Sequence, residues 1–376
     1  MIRVLLSGIF LFVFIEPSSF AQGKVFDLKN QISSRVGINF NDPVQSYLGA
    51  RFIPTLSISG DLKKDRLLDA EISVNTYGNI YCADGKFDEG DFSIKPYRFW
   101  IRYSTPRVEI RLGLQKISFG SASILRPLMW FDRMDFRDPL QITDGVYALL
   151  GRYYFQNNAN IWLWALYGNN EPKGWETVPT YKYEPEFGGR LQIPFYPGEI
   201  ALSYHHRKAD YTSVYSLMPS VTSPYFSEDM LGFDTKWDIG PGICFEYTWK
   251  RNDKDNILVS RDEHYLNIGF DYTFSFGNGL NITAEYFKYK GNVNNDYTAF
   301  ALNYPFGLMN RLIGAVYYNW DMEEWYRFIN IQRDFDYWSL NFIAFWNPEN
   351  TALYITSEGR NIMAGKGLQF MATVNF

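Results

Sequence analysis

Arginines carry the most pointed chemistry in the 376-residue chain. Arg98, Arg102, Arg107, Arg111, Arg152 and Arg190 fall on the polar parity of alternating segments in its first half, with Glu71 and Glu109 among them. The second half answers with Asp234, Glu246, Asp271 and Glu285, accompanied by Lys236 and Lys250. A guanidinium stays charged and forks onto carboxylate or phosphate, so a ladder of arginines facing an acidic wall would attract and guide anionic or polyhydroxylated solutes. The competing assignment is ordinary cross-strand pairing, Arg102 with Glu109 for instance, in which the charges serve only to stabilise a sheet.

Other chemistries have little to work with. A hydrolase at the rim of a barrel needs a nucleophile and a base within hydrogen-bond reach. Ser203, His205, His206 and Asp210 form the one cluster near a segment end, and the plainer assignment is that His205 is an ordinary inward polar residue. No catalysis is therefore expected. Three histidines in all, with Cys82 and Cys244 as the only cysteines, supply neither a metal cluster nor a disulfide framework, and no cofactor or metal is expected. A net charge of -5 argues against a nucleic-acid partner, which needs a basic patch against phosphates.

The elements that must position the arginines show a period of two. Val108, Ile110, Leu112 and Leu114 alternate with Arg107, Glu109, Arg111 and Gln115. Leu266, Ile268, Phe270, Tyr272, Phe274 and Phe276 alternate with Tyr265, Asn267, Gly269, Asp271, Thr273 and Ser275. The chain ends in the same way, with Leu368, Phe370, Ala372, Val374 and Phe376 against Gln369, Thr373 and Asn375. One greasy and one polar face describe a strand between unlike media. A soluble sandwich also alternates. Recurrent segments of about ten residues, aromatics at segment ends and connections that alternate short with long favour a transmembrane antiparallel up-and-down β-barrel. Strands are expected at 30-40, 51-60, 66-80, 94-104, 107-115, 146-156, 160-168, 186-195, 198-207, 229-239, 242-251, 263-276, 279-290, 296-304, 309-320, 324-332, 335-346 and 366-376, eighteen in number. The patterns of 30-40, 51-60, 296-304 and 324-332 are weak, which leaves sixteen as the alternative. Residues 80-93, rich in Asp, Gly and polar side chains, are expected to form one of the longer loops.

Two segments stand apart. Arg3, the apolar run 4-15 and small residues before Gln22 read as a secretory signal over 1-21, leaving 22-376 as a single barrel domain. Segment 115-146 carries Arg126, Asp132, Arg133, Asp135, Arg137 and Asp138 among Trp130, Phe131 and Phe136. It is too hydrophobic for disorder and is expected to fold into the lumen as a constriction; the alternative is a loop packed over the external mouth. Sixteen to eighteen strands leave an aqueous lumen unless something fills it, so passage of small polar solutes is the expected function, with a receptor or structural barrel as the alternative. Arg98, Arg102, Arg111, Arg152, Arg190, Glu246, Asp271 and Glu285 are expected to line the pore. Outer-membrane lipid and the solutes are the expected partners, and the oligomeric state is left open.

At Arg111-Leu-Gly113-Leu-Gln115-Lys-Ile117-Ser-Phe119-Gly120, followed by Asp135-Phe-Arg-Asp138-Pro139, the chain resembles the porin-like and alginate-export type of outer-membrane barrel of Gram-negative bacteria. In that group a strand with this pattern leads into a long loop. The resemblance implies an eighteen-stranded channel in the cell outer membrane, with an arginine-rich conduit for anionic or saccharide solutes. Leu114 stands where that group often has an arginine before the glutamine. The terminal Phe376 is similar to the signal read by the outer-membrane assembly machinery, a further expected partner.

Overall fold

In the computed structural model, which describes residues 24–63, 65–217, 223–255, 259–349 and 363–376, the alternating segments become one closed sheet. Its strands are β1 (Lys24–Asn39), β2 (Gln45–Lys63), β3 (Arg66–Ala83), β4 (Lys86–Ser104), β5 (Val108–Gln115), β6 (Val146–Tyr154), β7 (Asn160–Leu166), β8 (Glu186–Phe195) and β9 (Gly198–Asp210). The second half adds β10 (Tyr225–Asp238), β11 (Gly242–Asn252), β12 (Asp262–Phe274), β13 (Leu280–Lys290), β14 (Asn294–Phe306), β15 (Asn310–Asn319), β16 (Glu324–Asp334), β17 (Trp338–Trp346) and β18 (Lys366–Asn375). Each strand pairs antiparallel with its neighbours in the chain, and β1 pairs with β18, Ser33 opposite Thr373 and Ile38 opposite Leu368. Closure leaves no row of unpaired backbone groups, which hydrocarbon would not tolerate. The signal segment expected over 1-21 lies outside the described residues.

All four weakly patterned segments are strands, so the count is eighteen and the sixteen-strand alternative falls. The expected loop at 80-93 is corrected. Its residues finish β3 and begin β4, joined by a two-residue turn at Asp84-Gly85 with φ of 48° and 74°. Asp-Gly suits this turn because both central residues need positive φ, and the resulting twist matches that of the flanking strands. Polar residues in the two arms hide the alternation without preventing the ladder.

Alternation decides which face meets which medium. Ile110, Leu112, Leu163, Leu202, Ile268, Phe270, Phe300, Ile329 and Phe342 lie exposed on the outside, while Asn267, Asn330, Asn341, Gln369 and Thr373 are buried on the inside. Leu114 departs from its expected outward set: at Gly113 the backbone turns to a φ of 120°, and Leu114 and Gln115 are both buried. That irregularity ends β5 and directs the chain into the barrel.

Candidate permeation site

The long connection between β5 and β6 lies inside the barrel, which rules out the alternative that it only caps the mouth. Its apolar residues make it a core of its own: Ile117, Phe119, Leu128, Trp130 and Phe131 pack on Val146, Leu150, Trp164 and Leu166, and Ile124 and Leu125 reach the far wall at Phe287, Ala299 and Tyr317. Two inward carboxylates hold its backbone there. Glu246 of β11 accepts the N–H groups of Ala122 at 2.7 Å and Leu128 at 3.2 Å. Glu285 of β13 accepts those of Ser123 at 2.7 Å, Ile124 at 3.0 Å and Leu125 at 2.7 Å. Asn267 donates to the Leu125 carbonyl and to Glu285, and Thr248 donates to the Pro127 carbonyl.

The acidic wall is therefore only partly what its spacing suggests. Glu246 and Glu285 face inward as expected, but they are buried beneath the loop and serve its amides. Asp234 is buried in a bidentate pair with Arg190 at 2.6 and 2.8 Å, with Phe119 of the loop against the guanidinium, so Arg190 too is covered. Asp271 sits half-buried on the inward parity of β12.

The loop's own charges are spent mostly on its conformation. Buried Arg126 pairs with Asp132 at 3.1 Å and donates to Ser118 and to the Phe119 carbonyl. Arg133 donates to the carbonyls of Gly174 and Glu176 in the connection between β7 and β8. Arg137 forks onto Asp135, and Asp138 accepts the N–H groups of Leu140 and Ile142. Burial holds the Asp138 carboxyl above the ordinary carboxylate range, with those two N–H groups acting the other way.

The β7–β8 connection also turns inward. Trp175 stacks on Phe287 and donates to the Arg126 carbonyl, tying the two inserted segments together. Lys173 bonds Glu176 and Glu186 at 3.1 and 3.0 Å, Arg207 bonds Glu176 and Glu228 at 3.1 and 2.7 Å, and Lys250 lies between Glu228 and Glu263. These groups are buried, and each charge has partners of opposite sign, as burial demands. The network runs from β8 to β12 and fills that side of the interior.

His205 belongs to it. Its Nδ1 accepts from the Trp164 indole at 3.1 Å, which leaves Nε2 to donate to Glu186 at 3.1 Å. Ser203 accepts from Arg190, Asp210 accepts from Thr212, and His206 faces outward to Asp229. The residues considered for a nucleophile and base thus serve separate structural bonds.

The remaining arginines of the ladder gather on β4 to β6. Arg102 forks onto Asp69 of β3 at 3.0 and 2.6 Å, and Arg102, Arg111 and Arg152 approach Glu109 at 3.5, 3.2 and 3.4 Å. Register brings them together, since Arg102 stands opposite Arg111 and Glu109 opposite Arg152. The Arg102–Glu109 pairing considered as the alternative is present, but the same carboxylate is shared three ways. Trp100 lies under Arg111 at 4.7 Å and Arg102 at 5.6 Å, and Trp162 under Arg152 at 3.8 Å, contacts that fix the planes of the guanidiniums. Their side chains keep 26, 16 and 16% exposure, unlike Arg190, so this cluster remains in touch with solvent. Arg98 is separate and buried, donating to the Thr143 carbonyl where the loop returns to β6. Reading the sequence missed Arg35 and Arg51, inward on β1 and β2, because the alternation there is weak; Arg51 packs over Tyr77 and Arg35 donates to Asn79.

The structure is similar to OccK7 from Pseudomonas aeruginosa, with a TM-score of 0.55 and 11% identity over 95% of this chain and 99% of that one. It is similar to OmpT, an outer membrane protein of Vibrio cholerae solved as a trimer, with a TM-score of 0.52 and 10% identity over 94% and 100%. An anion-selective porin from Comamonas acidovorans follows with a TM-score of 0.47 and 14% identity over 94% and 100%. The closed eighteen-stranded barrel is a porin-type fold. No family model matches the chain, and no curated protein matches it in sequence. The resemblance to porin-like barrels holds in fold, while the finer likeness to the alginate-export type finds no sequence relative.

Proposed function

We propose that the protein is a channel of the outer membrane for small polar solutes, anionic or saccharide, with a preference for anions. The observation that carries this reading is the Arg102–Arg111–Arg152 cluster on the inner wall, where three guanidiniums pair, among the described residues, with Asp69 and Glu109 and retain solvent contact. One net positive charge in a low-dielectric wall concentrates anions and raises the barrier to cations. The inserted loop narrows the passage, since its apolar side packs across the interior from Val146 of β6 to Tyr317 of β15. Lipid around the apolar exterior, export through the segment 1-21 and assembly through the strand ending in Phe376 belong to the same reading.

Single-channel recording of the full chain in a planar bilayer tests it. Discrete conductance steps, with a reversal potential under a potassium chloride gradient on the anion side, are expected. Absence of steps from heat-modifiable, folded protein would overturn the channel, and a cation-side reversal potential would overturn the preference.

A further inference from the structure

Glu109 occupies an unusual position in the arginine cluster. Its three contacts, at 3.2, 3.4 and 3.5 Å, are long for charge-assisted hydrogen bonds, which run at about 2.7–2.9 Å. The neighbouring Asp69–Arg102 pair, at 2.6 Å, shows that this wall can form a tight one. Arg102 has that second carboxylate, whereas Glu109 is the one carboxylate within salt-bridge distance of Arg111 and Arg152 among the described residues. The Nε atoms of Arg111 and Arg152 are buried and lack a hydrogen-bond partner. Two guanidiniums held by indole faces thus share one loosely bound anion with a third, and all three side chains keep solvent contact.

We propose that Glu109 is a built-in counter-ion that competes with permeating anions for Arg111 and Arg152, and so determines how strongly the channel prefers anions. A carboxylate tethered to β5 satisfies the arginines when the passage is empty, and its loose geometry lets a free anionic group of similar size exchange with it. Without Glu109 the cluster would hold anions more firmly. With it, binding stays weak enough for release, as conduction requires. The proposal rests on the channel reading above and concerns the strength of selectivity rather than its existence.

The test is Glu109→Gln in the full chain, with Glu109→Asp as the charge-preserving control, both checked for folding by heat-modifiable migration. Under a potassium chloride gradient the Gln variant should show a several-fold higher chloride-to-potassium permeability ratio, and acetate should slow its chloride current at lower concentration than in the parent. Glu109→Asp, which keeps the charge but draws it back from the arginines, should raise the ratio less than Glu109→Gln. If Glu109→Gln does not fold, Glu109→Gln with Arg102→Gln is compared with Arg102→Gln alone, and the pair should be the more anion-selective. A parent channel that prefers anions, unchanged by loss of the Glu109 charge in either comparison, overturns this proposal alone. A parent without anion preference, or without conductance, overturns the reading beneath it.

Discussion

Glu285 accepts the backbone N–H of Leu125 at 2.7 Å across 160 residues of sequence, joining the inserted loop to the wall opposite its point of departure. With the neighbouring N–H groups of Ser123 and Ile124 on the same carboxylate, this contact fixes the loop across the interior.

Glu285→Ala should release the loop. The buried donors of Ile124 and Leu125 lose their acceptor, at about 1–3 kcal/mol each, while the exposed Ser123 amide can turn to water, so a loss of roughly 2 kcal/mol or more in barrel stability is expected from urea titration in detergent. Larger and noisier single-channel conductance should accompany it. Unchanged stability and conductance would show that Glu246 and the apolar contacts suffice.

Replacing Arg111 and Arg152 together with Ser should move ion selectivity toward cations while the barrel still folds, since substitutions inside such barrels tune selectivity more than stability. The shift should fade in 1 M salt, where the Debye length is about 3 Å. Arg98→Ser should instead disturb the loop's return to β6, because Arg98 holds the Thr143 carbonyl. A reversal potential unaffected by the double replacement would make the cluster purely structural.

Arg207→Met removes the cation between Glu176 and Glu228 and keeps much of its volume. Breaking a buried network at one partner costs about 3–5 kcal/mol, because uncompensated charge stays behind. Adding Glu228→Met should recover part of that loss. Thermal melts followed by circular dichroism would measure both, and a neutral single variant would contradict the burial of this network.

Gly174 marks where the two inserted segments touch. Its φ is 45°, and a Cβ there would stand 1.9 Å from the Met129 carbonyl oxygen, a clash with backbone. Gly174→Ala should separate the segments and expose them to protease in the folded barrel. Gly168→Ala, with φ 79° and nothing within 4 Å, should cost only the left-handed strain of about 1 kcal/mol and leave them protected. Equal protease sensitivity of the two variants would argue against the contact.

An arginine at the outward Ile268, midway along β12, should cost about 2–4 kcal/mol in a bilayer, the range measured for midplane lipid-facing positions of barrels. Reversible unfolding from vesicles checks it, and a negligible cost would place Ile268 away from hydrocarbon.

What the sequence by itself determined is the wall. Period-two alternation between greasy and polar side chains dictates strands between two media, and it makes Ile268 outward and Asn267 inward. The hairpin at Asp84-Gly85 was not legible as two strands, because its polar arms hide the alternation. The tertiary structure decided which inward charges stay wet. Arg152 and Arg190 look alike as alternating arginines, yet one keeps solvent contact and the other is sealed under Phe119. Alternation is a local signal carried by each strand separately. Coverage depends on the path of inserted segments anchored more than a hundred residues away, at Glu246 and Glu285, and the three-way sharing of Glu109 depends on the register of β4, β5 and β6. No spacing along one strand encodes either.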